Sequence, residues 1–215
     1  MKRIKPAQPV SSPGRPLCSP ADAALRLFLA GCSLPLVKHP DENAKISEQF
    51  KERLMLAVTE VNQCQMCSYG HTRMALETGM SSDEIRLLLA GEKSDTPDDE
   101  LPAVMFAQHY AESNGKPESS AWIRIIEEYG PRSRTILADL RTIMAGNAFG
   151  IPMGSLKGRF SGNADPRSTP SYEIIMMLTA AAALPPALAG ALICALTGWQ
   201  PPLHCSQTET ITAAG

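Results

Sequence analysis

Residues 43–61 read NAKISEQFKERLMLAVTEV, and Ile46, Phe50, Leu54, Ala57 and Val61 recur in it at steps of three and four. Because an α-helix turns once per 3.6 residues, that spacing collects them on one helical face. Working outward, Asn62 interrupts the pattern and a second helix is predicted from about Gln63 to Thr78, with Gly79 as its left-handed stop. Ser81 and Glu84 have the spacing of a capping box and open a short helix through Leu89. A polar connector with Pro97 covers 91–99. Three further helical patterns follow at 100–113, 119–129 and 132–148, punctuated by Asn114 to Pro117 and by Gly130-Pro131. No alternating Val/Ile/Thr run has strand length. The predicted fold is all-α, an antiparallel helical bundle.

Composition bounds the function. The 215 residues include 44% apolar ones, enough to bury a core and too many for a disordered chain. Twenty basic residues are offset by 22 acidic ones without a Lys/Arg stripe, so no nucleic-acid partner is expected. Six cysteines are too dilute for a disulfide scaffold and read as reduced thiols, catalytic thiols or metal ligands. Leu29-Ala30-Gly31-Cys32 matches a lipoprotein cleavage box by letter, but Asp22 and Arg26 interrupt any apolar run before it. Residues 22–34 are therefore read as an amphipathic helix. The expected organisation is a mobile Pro-rich arm at 1–20, a helical domain at 21–160, a linker at 161–173 and an apolar segment with tail at 174–215.

One constellation carries chemistry. Cys64 and Cys67 flank two residues, and His71 follows four later, so all three share one helical face. Asn62 is a plausible N-cap, which would put Cys64 in the first turn, where free N–H groups favour a thiolate. Such a pair can close and reopen a disulfide, and His71 is placed to take a thiol proton. Other readings stay open. Two cysteines and a histidine are three soft ligands for a structural zinc, which would make a non-catalytic binding module, although no second close pair supplies a fourth. Two inert core thiols beside a bystander histidine are the plainer possibility.

Twelve residues before Cys64 stands Glu52, inside the preceding helix. The pattern of Glu52, Cys64, Cys67 and His71, continuing into Ala75 to Ser81 and the helix opened by Asp83, resembles the AhpD-like alkylhydroperoxidases of the carboxymuconolactone decarboxylase family over about 43–112. The resemblance implies a thiol-dependent peroxidase or disulfide oxidoreductase. Cys67 would be the attacking thiol, Cys64 the resolving one, and Glu52 with His71 a proton relay. It implies a hydroperoxide substrate, an external dithiol or lipoamide-type reductant, no cofactor, and a homo-oligomer, trimer or hexamer. Two departures stand out. Helix geometry alone favours Cys64 for the dipole, and Met66 occupies the place where the best-known members carry a second histidine. A decarboxylase-branch activity is the alternative within the superfamily, whose members there generally lack the cysteine pair. Glu60, one turn before Cys64, is a second acid near the site and reads as a solvated carboxylate.

The stretch from Ile174 to Trp199 has no charged side chain and is long enough to span a bilayer, with Pro185-Pro186 in its middle. Lys157, Arg159 and Arg167 precede it and no Lys or Arg follows, which would hold the domain in the cytoplasm. The prolines predict a break into two short pieces, hence a buried hairpin or one dipping into the cytoplasmic face of a membrane, with a single kinked membrane-spanning helix as the alternative.

Overall fold

The computed structural model describes residues 15–206. Among these residues the chain is all-α, with no strand. Its helices are α1 (Pro20–Lys38), α2 (Glu48–Asn62), α3 (Gln65–Glu77), α4 (Ser82–Leu89), α5 (Leu101–Glu112), α6 (Ser119–Tyr129), α7 (Arg132–Arg159) and α8 (Pro170–Thr197), with a short 3-10 turn at Glu42–Ala44. Local chemistry sets the ends. The Ser47 and Ser81 hydroxyls accept the Phe50 and Glu84 N–H groups, capping α2 and α4. Gly79 turns left-handed after α3 at φ +91°, as its sequence position predicts. The capping box is only half made, since the Glu84 carboxylate goes to Arg53 instead of back to the cap.

The helix of the opening stretch lies deeper than its pattern suggests. Phe50, Leu54 and Ala57 are buried as expected, but so is every residue from Glu52 to Thr59. α2 is enclosed by α3, α4, α5 and α7, which explains why polar positions on it are buried too. A second small cluster of Ala23, Ala148 and Met176 joins α1, α7 and α8. α7 belongs to both clusters, and it runs eleven residues beyond the predicted end at 148. Residues 15–19, assigned to the arm, are held by Arg167 donating to the Arg15 carbonyl and Tyr172 donating to the Cys18 carbonyl. The remainder of that arm, 1–14, lies outside the described residues.

The proline expectation fails. α8 is one unbroken helix of 28 residues through Pro185-Pro186, not a hairpin. Both rings sit on its exposed side, as do Ala181 and Ala182, whose carbonyls lose their helical donors at exposed positions, where water can replace them. The opposite side is a seam of small residues, Ala183, Ala187, Gly190 and Cys194, buried against α1. A Cβ added at Gly31 of α1 would come 2.5 Å from the Ala187 carbonyl oxygen, so only glycine permits this approach. Continuous packing of α1 along the seam outweighs two lost hydrogen bonds. By length and composition α1 and α8 could each cross a membrane, and the same features fit core helices of a soluble protein.

Two buried carboxylates on the frame behave oppositely. Glu173 at the start of α8 receives both Arg159 Nε, at 2.7 Å, and a second Arg159 nitrogen, at 2.8 Å. That guanidinium, helped by the Ser155 and Ser168 hydroxyls against the opposing cost of burial, holds its carboxyl down to about 2. Asp139 on α7 is 1% exposed, and neither oxygen finds a hydrogen-bond partner among the described residues. Burial foremost, with Glu48 and Glu52 adding to it and Lys51 opposing, pushes its carboxyl up to about 7. Between about pH 4 and pH 7 the folded chain therefore holds a proton on Asp139 that the unfolded chain has released. Stability must fall as pH rises through that window, by up to about 4 kcal/mol. Asp139→Asn should flatten that decline, read as urea midpoints from pH 4.5 to 8. A decline of equal size in the variant would assign it to another group.

Candidate active site

The corner between α2 and α3 builds the site. Gln63 takes a left-handed conformation at φ 55°, which ends α2, and the Cys64 N–H bonds back to the Thr59 carbonyl at 3.3 Å. Cys64, not Asn62, is then the N-cap of α3, its sulfur accepting the Cys67 N–H at 3.3 Å. Asn62 stays in α2, where its amide donates to the Met144 sulfur. Cys64 and Cys67 are joined by a disulfide. Cys64 is fully buried, whereas Cys67 is partly exposed in the first helical turn. One turn on, His71 Nδ1 lies 2.8 Å from a carboxylate oxygen of Glu52. The Glu52 side chain is 1% exposed and that of His71 18%, so the pair forms a path from the core to the rim.

The four residues singled out by spacing thus meet as two pairs, Glu52 with His71 and Cys64 with Cys67, on successive turns of α3. Glu60 does not join them. It faces Gly91 of the connector, and burial foremost, with Glu112 adding and Lys93 opposing, raises its pKa. Among the described residues no group of three or more His, Cys, Asp and Glu side chains is close enough together to hold a metal ion.

Residues 37–112 match the carboxymuconolactone decarboxylase family. The matched segment runs from the end of α1 through α5 and contains Glu52, Cys64, Cys67 and His71. No match was found to a curated protein or to a solved structure.

The structure adds two features outside the family segment. Gly150 of α7 presses against the disulfide: a Cβ there would stand 2.7 Å from the Cys67 sulfur and 3.1 Å from that of Cys64. No pattern in the sequence marks it, because a glycine at a helix crossing has no local signature. Cys32 of α1 and Cys194 of α8, isolated in sequence, meet across the small-residue seam. Burial and the neighbouring Cys194 thiol push the Cys32 thiol up to about 12, so it is a poor nucleophile. After reduction, alkylation should reach Cys67 well before Cys32, and Gly150→Ala should force α7 from the sulfurs. We expect the variant to fold but to close the Cys64–Cys67 disulfide at least tenfold more slowly, followed by thiol counting during reoxidation. An unchanged closing rate would show that α7 gives way without cost.

Proposed function

We propose that the chain is a thiol-dependent peroxidase in which Cys67 attacks, Cys64 resolves and Glu52 with His71 moves protons. The observation that carries this reading is the partly exposed Cys67, bonded to a buried partner and one turn above a histidine anchored on a buried carboxylate. An attacking thiol needs access and a first-turn dipole, and Cys67 has both. A resolving thiol needs only the other sulfur, which suits the buried Cys64. The exposure difference favours the assignment drawn from family resemblance over the one drawn from the dipole alone.

In the reduced pair, His71 takes the Cys67 proton while Glu52 fixes its ring and balances the imidazolium charge. The thiolate attacks the terminal oxygen of a hydroperoxide. An S–O bond forms, the O–O bond breaks, and the alkoxide leaves as an alcohol with the relay's proton. Cys64 then attacks the sulfenic sulfur, so that an S–S bond forms and water leaves. An external dithiol, of lipoamide type on the family resemblance, returns two electrons by thiol–disulfide exchange. Cytoplasmic location would keep that reductant available. The large aliphatic residues exposed along α8, among them Leu188, Leu192 and Leu196, support contact with a second copy or with the cytoplasmic face of a membrane.

Reduced protein treated with tert-butyl hydroperoxide should lose two thiols per chain, recover them with dithiothreitol, and lose none of that pair in Cys67→Ser. Thiols that survive peroxide would overturn the peroxidase. Activity on a lactone acid retained by Cys64→Ser/Cys67→Ser would instead revive the decarboxylase branch. In Glu52→Gln and His71→Ala the pH profile of Cys67 alkylation should move upward, because the acceptor is weakened or gone; unchanged profiles in both would remove the relay. Full-length protein should pellet with membranes and reach trimer or hexamer mass in detergent; a detergent-free monomer in the supernatant would remove both contacts.

A further inference from the structure

An apolar groove of about 400 Å³ runs between α1, α7 and α8 and ends at Met66 and Gly150, the neighbours of the Cys64–Cys67 disulfide. Its floor is one stripe of α7, Gly146, Phe149 and Gly150, and its sides include Leu34 of α1 and Leu188 of α8. Met66, which with Gln65 separates the two cysteines, lines one end with a flexible thioether. No charged side chain borders it, and the one hydroxyl there, Thr142, already donates to the Ala138 carbonyl at 2.9 Å. Gly150 is shared. It lines the groove, and a Cβ on it would stand 2.7 Å from the Cys67 sulfur, so the groove wall and the disulfide adjoin at this residue.

We propose that this groove holds the hydrocarbon chain of a long-chain alkyl hydroperoxide and presents its peroxide head to Cys67. The inference rests on the peroxidase reading and narrows its substrate class. Three observations select the occupant. The volume falls in the range of roughly 300–1,000 Å³ usual for small-molecule sites, more than ten times what a water-sized peroxide needs. The lining offers no partner for a charge or a hydrogen-bonding headgroup, so only hydrocarbon is stabilised there. Because Gly150 adjoins Cys67, a chain lying along α7 would bring a group at its end beside that sulfur. The chemistry is that already written: the S–O bond forms on Cys67, the O–O bond breaks, and a long-chain alcohol leaves along the groove.

Gly146 gives a clean handle, because a Cβ added there meets nothing within 4 Å and would project into open space. Second-order rate constants for oxidation of the reduced pair should be measured with hydrogen peroxide and with butyl, octyl and dodecyl hydroperoxide. Each buried methylene strengthens apolar binding by about fourfold, so dodecyl should exceed butyl by at least tenfold. Gly146→Phe and Gly146→Leu should lower the dodecyl rate at least tenfold more than the hydrogen peroxide rate. Equal rates at all chain lengths would overturn the proposal, as would a change of oligomeric mass in the variants without loss of chain-length preference, which would give the groove to a second copy. Dodecan-1-ol separates the two readings. If no peroxide oxidises the pair, the peroxidase falls. Slowing of Cys67 alkylation by the alcohol, lost in Gly146→Phe, would still place a hydrocarbon chain in the groove, and no slowing would remove it.

Discussion

α2 buries two ionisable residues side by side, Glu52 at 1% and Arg53 at 6% exposure. Neighbours on a helix point about 100° apart, so one partner cannot serve both. Glu52 turns to His71 of α3. Arg53 turns the other way and donates to Glu84 of α4 at 2.6 Å and to Glu100, the N-cap of α5, at 2.7 Å. A buried charge without its partner costs several kcal/mol, so α3, α4 and α5 have few arrangements around α2 that leave neither residue stranded. Apolar burial holds the bundle together, but it has no direction; these pairs supply the register. The site inherits its precision from them, because the helix that carries both cysteines is the one that Glu52 fixes.

α7 makes the second constraint. It lies wholly outside the family segment, packs on α3 with Gly150 against the disulfide, and also packs on α1 and α8. A Cβ at that crossing would have to move one helix or the other. The same helix carries Asp139, an acid buried without a partner near Glu52. Burial is what chiefly raises its carboxyl, with Glu48 and Glu52 adding to that and Lys51 opposing.

Helical periodicity made most of this legible. The spacing of Glu52, Cys64, Cys67 and His71 is a statement about helix faces, and faces survive folding when the helices themselves form. What periodicity cannot carry is the choice among tertiary partners. Asn62 looks like a cap, yet a left-handed Gln63 ends α2 one residue later and passes the cap to the Cys64 sulfur. Pro185-Pro186 looks like a break, yet α1 packs along the whole of α8 and both rings face outward. Nothing in the sequence around Asp139 announces that α2 covers it. Cys32 and Cys194 lie more than 160 positions apart, and only the α1–α8 seam brings them together.

The proposed chemistry has two physical demands that pull in opposite directions. Proton transfer needs polar groups in fixed geometry, while a hydrocarbon substrate needs a surface without them. The chain separates the two by helix. α2 and α3 supply the carboxylate and imidazole on the inner side of Cys67, and α7 with α1 and α8 supplies the apolar groove beyond Gly150. Met66 stands at the boundary, where a second histidine would have set a polar group at the groove's end. With a thioether there, the groove stays apolar up to Met66, and the proposed mechanism moves its protons through His71 alone. On this reading, losing one proton-shuttling group is what lets a hydrocarbon chain approach the thiol.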